Sequence, residues 1–292
     1  MIRLGYVGIN TELPTSGKTF RLANYSKEKM IETARLNIDA LNQILLWNKK
    51  HDIEIFRITS ALIPFGSHLI NKGEWKNELK EKFIETGDFI IKNDMRVSMH
   101  PGQYTVINSP NEQFYKNSLR DIEYHNTVMD LMGLDETHKI IIHGGGIYNN
   151  KEKSMNFLIK RLNDLPQILQ RRIVLENDER CFSAYEIYTV CMKTGLPGVF
   201  DVFHHEVYPS FDNLTEREII LEFKKLWGNV RPKIHYSNQA AGKNRGAHSD
   251  HVNVTEFLKF YRKIEDLELD IMLEVKDKQK SVLEIKKMIV QL

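Results

Sequence analysis

Eight short apolar runs alternate with eight longer amphipathic segments along this chain, and this alternation constrains its fold more than any other feature. The runs have the length and composition of strands, and the segments between them carry apolar residues at the three- and four-residue spacing of helices. The predicted strands are 2–9, 53–59, 96–99, 139–142, 172–176, 198–203, 231–235 and 270–274. The predicted helices are 25–49, 72–93, 112–132, 151–165, 181–194, 215–226, 254–264 and 278–292, with N-caps at Ser26, Asn213 or Thr215, and Asn253. Eight such repeats predict a parallel sheet closed into a (β/α)8 TIM barrel.

Length and composition favour a single domain over residues 1–292, because a barrel of this type commonly occupies about 250 residues as one unit. No run approaches the ~18 apolar residues of a membrane span, and a strand begins almost at Met1, so we expect no signal peptide and a cytoplasmic protein. Cys181 and Cys191 fall in one predicted helix, about 15 Å apart, which predicts two reduced thiols. We also expect a monomer.

The formal net charge of +2 is too small to indicate a nucleic-acid-binding protein by itself. Two or three bound divalent ions would add roughly four to six positive charges on one face. The near-neutral composition is therefore compatible with an anionic substrate.

Polar side chains end the eight apolar runs, and six of the eight ends can bind a divalent ion. These ends are Asn10, Ser60, His100, His143, Glu176, Asp201 with His204, His235 and Glu274. In a TIM barrel the C-terminal ends of all strands meet at one mouth. The long connections 10–24, 61–73, 101–110 and 236–251 are predicted on the same face. The sequence thus predicts a metal cluster at the mouth.

The predicted metal cluster is supported by the carboxylates expected inside the barrel. Glu176 and Glu274 end strands that run into the barrel, where an isolated charge is very costly unless it is paired or metal-bound. Alternation along the strand places Lys233 and His235 on one face. A mixture of imidazoles and carboxylates suits Mn²⁺, Fe²⁺ or Zn²⁺, and the sequence does not choose among them.

The histidines are ambiguous one at a time. His100 opens HPGQY and His143 lies in IIHGGG, and either could be a hydrogen-bonded structural residue. An esterase-like oxyanion hole at HGGG is excluded because no G-x-S-x-G motif occurs. His204, predicted in the loop beyond Asp201, could reach a neighbouring ion, while spacing leaves His68 and His248 open. Five histidines are interpreted as structural: His51, His125, His138, His205 and His251.

Seven segments together resemble the UV damage endonucleases across nearly the whole chain. They are SMHPGQY (98–104), IIHGGG (141–146), VLEND (174–178), FDVFHH (200–205), KIHYSNQ (233–239), AHSDH (247–251) and LEVKDK (273–278). That family is similar in fold to endonuclease IV, a TIM barrel with a metal cluster. The resemblance implies nine ligands, with Glu176 as the bridging carboxylate: His68, His100, His143, Glu176, Asp201, His204, His235, His248 and Glu274.

Two features of the resemblance bear on single residues. Endonuclease IV offers D-x-H to its third ion, whereas this chain reads His248-Ser249-Asp250, so the role of Asp250 is open. The UV damage family places a lysine, matching Lys233, beside the ions, where it is thought to be carboxylated. An ammonium there would be repelled by the cations, so Lys233 should be neutral or modified. Glu176, Lys233 and Glu274 form the expected catalytic set.

The activity implied by the resemblance is ATP-independent cleavage of damaged double-stranded DNA immediately 5′ to a UV photoproduct, leaving a 3′-hydroxyl and a 5′-phosphate. Gln103 and Tyr104 are placed to fill the gap left by extruded bases. Tyr6 and Asn10 resemble lesion-pocket residues of the family, although spacing equally fits Tyr6 as a packing residue. Lys243 and Arg245 are candidates for phosphate contact, with a solvated loop as the alternative.

Other functions fit less well. SGKT at 16–19 mimics the end of a Walker A loop, but Glu12 stands where that motif needs glycine, so a nucleotide triphosphate site is not expected. A sugar isomerase or epimerase of the same barrel type would need two metals at most, and His204, His248 and the Gln103–Tyr104 pair argue against it. An abasic-site endonuclease and a non-catalytic metal- or DNA-binding module are the remaining alternatives.

Overall fold

A closed barrel of eight parallel strands forms the centre of the protein, in a computed structural model that describes residues 1–291. Each strand pairs with its sequence neighbours, and β8 pairs with β1 to close the barrel. The strands are β1 (Ile2–Gly8), β2 (Ile55–Ile58), β3 (Arg96–Met99), β4 (Lys139–His143), β5 (Ile173–Glu176), β6 (Gly198–Asp201), β7 (Lys233–Tyr236) and β8 (Leu269–Leu273). The predicted TIM barrel is confirmed.

Helices surround the barrel and bury their apolar faces against the outward side chains of the strands. They are α1 (Lys27–Lys50), α2 (Trp75–Glu78), α3 (Lys80–Lys92), α4 (Glu112–Leu131), α5 (Lys151–Asn163), α6 (Gln167–Gln170), α7 (Ala184–Thr194), α8 (Val202–Val207), α9 (Glu216–Lys225), α10 (Val254–Arg262) and α11 (Gln279–Ile289). Short 3-10 turns at Leu22–Asn24 and Ser60–Leu62 lie in the loops after β1 and β2. Leu292, the last residue of the predicted final helix, lies outside the described residues.

Two helix predictions need correction. The segment 72–93 is two helices, because the backbone leaves the helical conformation at Leu79. The helix predicted from Cys181 begins at Ala184, where Glu186 accepts a hydrogen bond from the backbone N–H of Ser183 in a capping box. Cys181 therefore lies in a loop and the spacing argument for the cysteines was wrong, although both thiols are free. The caps at Ser26, Thr215 and Asn253 are confirmed.

The end of β6 also differs from the prediction. The strand stops at Asp201 rather than Phe203, because the Asp201 carboxylate accepts the backbone N–H of His204 and caps α8. His204 is thus a helical residue, not a loop residue. Asp201 and His204 are held together by this cap.

Among residues 1–291, no helix combines the length and the apolar character that crossing a membrane requires.

Candidate metal centre at the barrel mouth

The inward side chains of the strands reach the mouth in one layer. Alternation along β3, β4 and β5 points Ser98, Ile141 and Val174 into the middle of the barrel. The next inward residues, two positions on, form the mouth layer: His100, His143, Glu176, Asp201, His235 and Glu274, with Arg57 from β2. Strand pairing aligns His143 with Glu176 and Asp201 with His235.

Two groups of potential metal ligands share Glu176. The first comprises His100, His143 and Glu176, and the second Glu176, Asp201, His235 and Glu274, with ligand atoms in each group within 4.8 Å of one another. One carboxylate oxygen of Glu176 faces His100 Nε2 at 2.8 Å and His143 Nε2 at 3.9 Å. The other oxygen contacts His235 Nδ1. A carboxylate that turns one oxygen to each group has the geometry of a bridging ligand.

Backbone carbonyls fix the orientation of three histidines. The Nδ1 atoms of His100, His204 and His248 lie 2.8–2.9 Å from the carbonyl oxygens of Pro101, Asn177 and Glu274, respectively. Because a carbonyl only accepts, each Nδ1 carries a proton, which leaves Nε2 as the nitrogen that can bind a metal ion once it is deprotonated. Histidine ligands of metals are commonly oriented in this way.

The rings of four histidines follow one another around the rim. The centroids of His100 and His143 are 5.0 Å apart, those of His143 and His204 6.0 Å, and those of His204 and His248 5.6 Å. His204 and His248 thus adjoin the first group without belonging to either group of ligand atoms.

Negative charge at the mouth exceeds its fixed positive charge. Asp201 has no exposed surface, and no residue from 1 to 291 donates a hydrogen bond to its buried Oδ2. Burial raises the pKa of Asp201 to about 7. Burial lowers the pKa of His204, but Asp201 and Glu176 outweigh that effect and raise it to about 9. A buried carboxylate oxygen without a partner, beside oriented imidazoles, fits a divalent cation.

Arg57 is a mouth residue that sequence reasoning missed. Its Nη2 donates to Glu274 Oε1 at 2.5 Å and to His235 Nε2 at 2.9 Å. Burial would raise the pKa of Glu274, but Arg57 and His235 hold it below its ordinary value. The inward alternation of β2 could have indicated this arginine, had the register of the barrel been known.

Asn177, Ser60 and His125 support the ligands from behind. The Asn177 amide donates to the Asp201 carbonyl at 3.0 Å and accepts from the Asp201 N–H at 2.8 Å. Ser60 Oγ donates to the His100 carbonyl at 2.7 Å, and His125 Nε2 lies 2.9 Å from Ser60 Oγ. His125 is therefore structural, as interpreted from the sequence.

Lys233 points into the barrel beneath the mouth. It is buried, and its Nζ donates to Ser98 Oγ at 2.9 Å. Burial and the nearby Arg96 hold the pKa of Lys233 well below its ordinary value. These surroundings favour the neutral amine over the ammonium.

Two candidate residues lie apart from the cluster. His68 is exposed in the loop after β2, where its Nδ1 accepts the Ile70 N–H, and it belongs to neither ligand group. Asp250 forms an exposed ion pair with Lys276 at 2.6 Å.

The other histidines interpreted as structural contact neighbouring protein groups. His138 accepts the Val97 N–H, His51 contacts the Trp47 carbonyl, and His251 pairs with Asp277. His205 packs against the Phe200 ring.

The candidates for DNA contact divide into exposed and buried residues. Tyr104 is 87% exposed and Gln103 lies beside it at the surface. Tyr6 has no exposed surface, because β1 turns it outward towards α1, where its hydroxyl donates to Asn48 at 2.6 Å. Asn10 is equally buried and donates to the Tyr6 hydroxyl. In this conformation Tyr6 and Asn10 support the loop after β1 and offer no surface to a ligand.

The loop after β7 carries the two predicted phosphate-binding residues. Lys243 and Arg245 are both exposed. Arg245 donates to the carbonyl of Val207, the last residue of α8. This contact ties the loop to α8 beside His204.

A cavity of about 350 Å³ opens beside His143, between the loops after β3, β4 and β5. Gln103, Tyr148 and Arg180 line it. The mouth therefore has an open side large enough for a small ligand or part of a polymer.

Comparison with known families agrees with this geometry. A family model described as UV-endonuclease UvdE matches residues 2–292. The chain belongs to this family. A UV DNA damage endonuclease of Clostridium perfringens is 40% identical over 290 residues, which cover 97% of this chain and 69% of the relative.

Two solved structures resemble this chain to different degrees, one in both sequence and fold and the other in fold alone. The crystal structure of SacUVDE matches with a TM-score of 0.95 and 37% identity, covering 100% of this chain and 99% of that one. A 3-keto-D-glucoside 4-epimerase from E. coli matches with a TM-score of 0.57 and 13% identity over the whole of both chains. The epimerase shares the fold alone, whereas the UvdE match confirms the family expected from the seven segments. The chain is therefore a nuclease.

Proposed function

We propose that this protein is a metal-dependent DNA repair endonuclease. It nicks double-stranded DNA immediately 5′ to pyrimidine dimers and 6-4 photoproducts, leaves a 3′-hydroxyl and a 5′-phosphate, and needs no ATP. The observation that carries the proposal is the sharing of Glu176 between two ligand groups at an open mouth. Membership of the UvdE family supports the choice of UV-damaged DNA as substrate.

Two or three divalent ions, with Mn²⁺ as the first candidate and Zn²⁺ or Fe²⁺ as alternatives, fit the mouth. The two groups around Glu176 would hold two of them, and His204 with His248 adjoins a third position. His68 remains a proposed ligand whose loop lies outside both groups. Bound ions of this kind supply an activated water and neutralise the leaving oxygen in phosphodiester hydrolysis.

The protein's own residues prepare the site. Glu176 turns its two oxygens to the two groups, and Asn177 and Ser60 hold the backbone of Asp201 and His100. Arg57 neutralises Glu274 in part, so the mouth keeps a moderate excess of negative charge. A preorganised arrangement of this kind needs little rearrangement during the reaction.

We further propose that Lys233 acts as a carbamate, formed when its neutral amine adds CO₂ and releases a proton. The depressed pKa of Lys233 provides the free amine, and Arg96 and Arg57 would favour the resulting negative charge. ¹³C NMR with labelled bicarbonate tests this: a carbamate resonance should appear in the native protein and vanish in Lys233→Met. An unmodified Lys233 under saturating bicarbonate would refute it.

Lesion selection is assigned to the exposed loop after β3. Tyr104 can stack on a base and Gln103 can hydrogen-bond to unpaired base edges, which favours DNA whose pairing is already weakened. Lys243 and Arg245 are proposed to contact phosphates from the loop after β7.

A plasmid assay tests the proposed function. Irradiated, depurinated and untreated supercoiled plasmids are incubated with the protein and Mn²⁺ without ATP. We expect nicks mainly in the irradiated plasmid. Preference for the depurinated plasmid would indicate an abasic-site endonuclease, and three intact plasmids would indicate a sugar isomerase or a passive binding protein.

A further inference from the structure

Lys278, just beyond β8, has a backbone conformation that a residue with a side chain rarely adopts. Its φ is +59° and its ψ is −116°. The residues on both sides of Lys278 are held by hydrogen bonds. Asp277 accepts from Ser281 Oγ at 2.6 Å, and Gln279 binds the backbone N–H and the hydroxyl of Thr11 at 3.0 and 2.7 Å. Strain maintained at a specific residue beside a candidate site points to a use for its side chain.

The ammonium group of Lys278 has no partner among residues 1–291. The two nearest carboxylates are already engaged, Glu274 by Arg57 and His235, and Asp277 by His251 and Ser281. The side chain is half-buried, and burial lowers the pKa of Lys278 although Glu274 opposes the effect. A partly desolvated cation without a partner is costly unless an anion binds to it.

The position of Lys278 suggests which anion. The residue lies four positions after Glu274, on the mouth, and Gln279 connects it to the loop after β1. It therefore flanks the ligand groups on the β1–β8 side, while Gln103 and Tyr104 flank them on the β3 side. A DNA strand laid across the mouth would pass both. The residues expected to meet DNA on the β1 side, Tyr6 and Asn10, are buried.

We propose that Lys278 binds a phosphate oxygen of the DNA strand that crosses the mouth, on the β1–β8 side of the ligand groups. This inference rests on the proposed endonuclease function, since it takes the DNA backbone as the anion. Lysine binds phosphate as a compact point charge, without reading sequence. The contact would strengthen binding of the strand across the mouth.

Nicking kinetics on a short duplex with one thymine dimer test the proposal, at salt concentrations from about 50 to 200 mM. We expect Lys278→Met to raise KM about tenfold with kcat nearly unchanged, because a phosphate contact is made equally in the ground and transition states. The salt dependence of kcat/KM should weaken by about 0.9 in its logarithmic slope. Lys278→Arg should restore both values.

Two further variants separate binding from folding. Lys278→Gly removes the charge and permits the backbone conformation, so it should raise KM like Lys278→Met without lowering the melting temperature. Lys276→Met, on the same loop, removes a lysine already paired with Asp250 and should leave KM and the salt slope unchanged.

The outcomes distinguish this inference from the proposed function. If the native protein nicks the duplex and Lys278→Met matches it in KM and salt slope, Lys278 makes no phosphate contact and the endonuclease proposal stands. A lower melting temperature in Lys278→Gly together with an unchanged salt slope would also overturn the inference. A native protein that does not nick dimer-containing DNA would overturn both.

Discussion

Carboxylates are buried at both ends of the barrel, but within residues 1–291 Asp270 at the base is fully hydrogen-bonded and Asp201 at the mouth is not. At the base, Asp270 accepts from Arg3 Nε at 2.8 Å and from Arg96 Nη1 at 2.8 Å, so both of its oxygens are paired. At the mouth, Asp201 is equally buried, yet its Oδ2 has no hydrogen-bond donor among the residues that the structure describes.

The balance of charge differs in the same way. At the base, Asp270 forms ion pairs with two guanidinium groups, those of Arg3 and Arg96. The mouth layer holds three carboxylates, Glu176, Asp201 and Glu274, against the guanidinium of Arg57, with the Lys278 ammonium at its edge. The buried carboxylate at the base is neutralised by arginines of the protein and stabilises the fold. The carboxylates at the mouth are not fully neutralised by the protein and require bound cations.

The largest effect should follow from Glu176→Gln at the mouth. Glu176 is shared by both ligand groups, so its loss should affect both. Removing one hydrogen-bond donor to a transition state typically lowers the rate about 10²–10³-fold, and we expect nicking to fall by more than this. Mn²⁺ should also cease to raise the melting temperature. Nicking rates and thermal melts with and without Mn²⁺ measure both.

Glu206→Gln is the matched control, since Glu206 is an exposed glutamate on α8 that belongs to neither ligand group. We expect it to nick normally. Retention of both nicking and the Mn²⁺ response in Glu176→Gln would remove Glu176 as the shared ligand.

At the base, Asp270→Asn should destabilise the fold by about 3–5 kcal/mol, because it leaves Arg3 and Arg96 without their buried counter-charge. Urea unfolding measures this loss. Asp266→Asn, which breaks an exposed pair with Arg217, should change stability little. An Asp270→Asn variant that is as stable as the native protein but inactive would show that Asp270 does not act by stabilising the fold.

His138 should make the base sensitive to acid. Burial lowers the pKa of His138 to about 4, below the ordinary value near 6.5, so the unfolded chain binds a proton more readily than the native protein. The free energy of unfolding should therefore fall as pH drops from about 6.5 to about 4, by up to about 3 kcal/mol. His138→Gln should flatten this part of the stability curve, as measured by urea unfolding at several pH values. An unchanged curve would show that other groups govern the acid limit.

The smallest effect should come from Tyr104→Ala on the exposed part of the mouth. Loss of one stacking contact, worth about 1–3 kcal/mol, should reduce nicking of irradiated DNA about tenfold while the melting temperature and Mn²⁺ response stay normal. Met192→Ala, at an exposed position near the far end of α7, serves as the control. Undiminished nicking in Tyr104→Ala would remove its proposed role in filling the gap.

Much of the barrel could be predicted because each strand and helix leaves a local pattern in the sequence. The eight runs fell on the eight strands, and the ligand groups consist of residues expected at strand ends. Element boundaries were less accurate wherever a side chain ended or began an element, as Asp201 does for β6 and α8. Such caps depend on a single hydrogen bond, which periodicity does not reveal.

The sequence by itself determined the alternation of strand and helix, the closed barrel and the convergence of imidazoles and acids at one mouth, because these follow from local periodicity and from the parallel arrangement it requires. Only the tertiary structure decided that Arg57, on β2, reaches Glu274 across β1 and that Tyr6 turns outward to Asn48. It also decided that Lys278 has no partner within the described part of the chain. These contacts join segments distant in sequence. They depend on the stagger between strands and the packing of helices against the barrel, which no local pattern encodes.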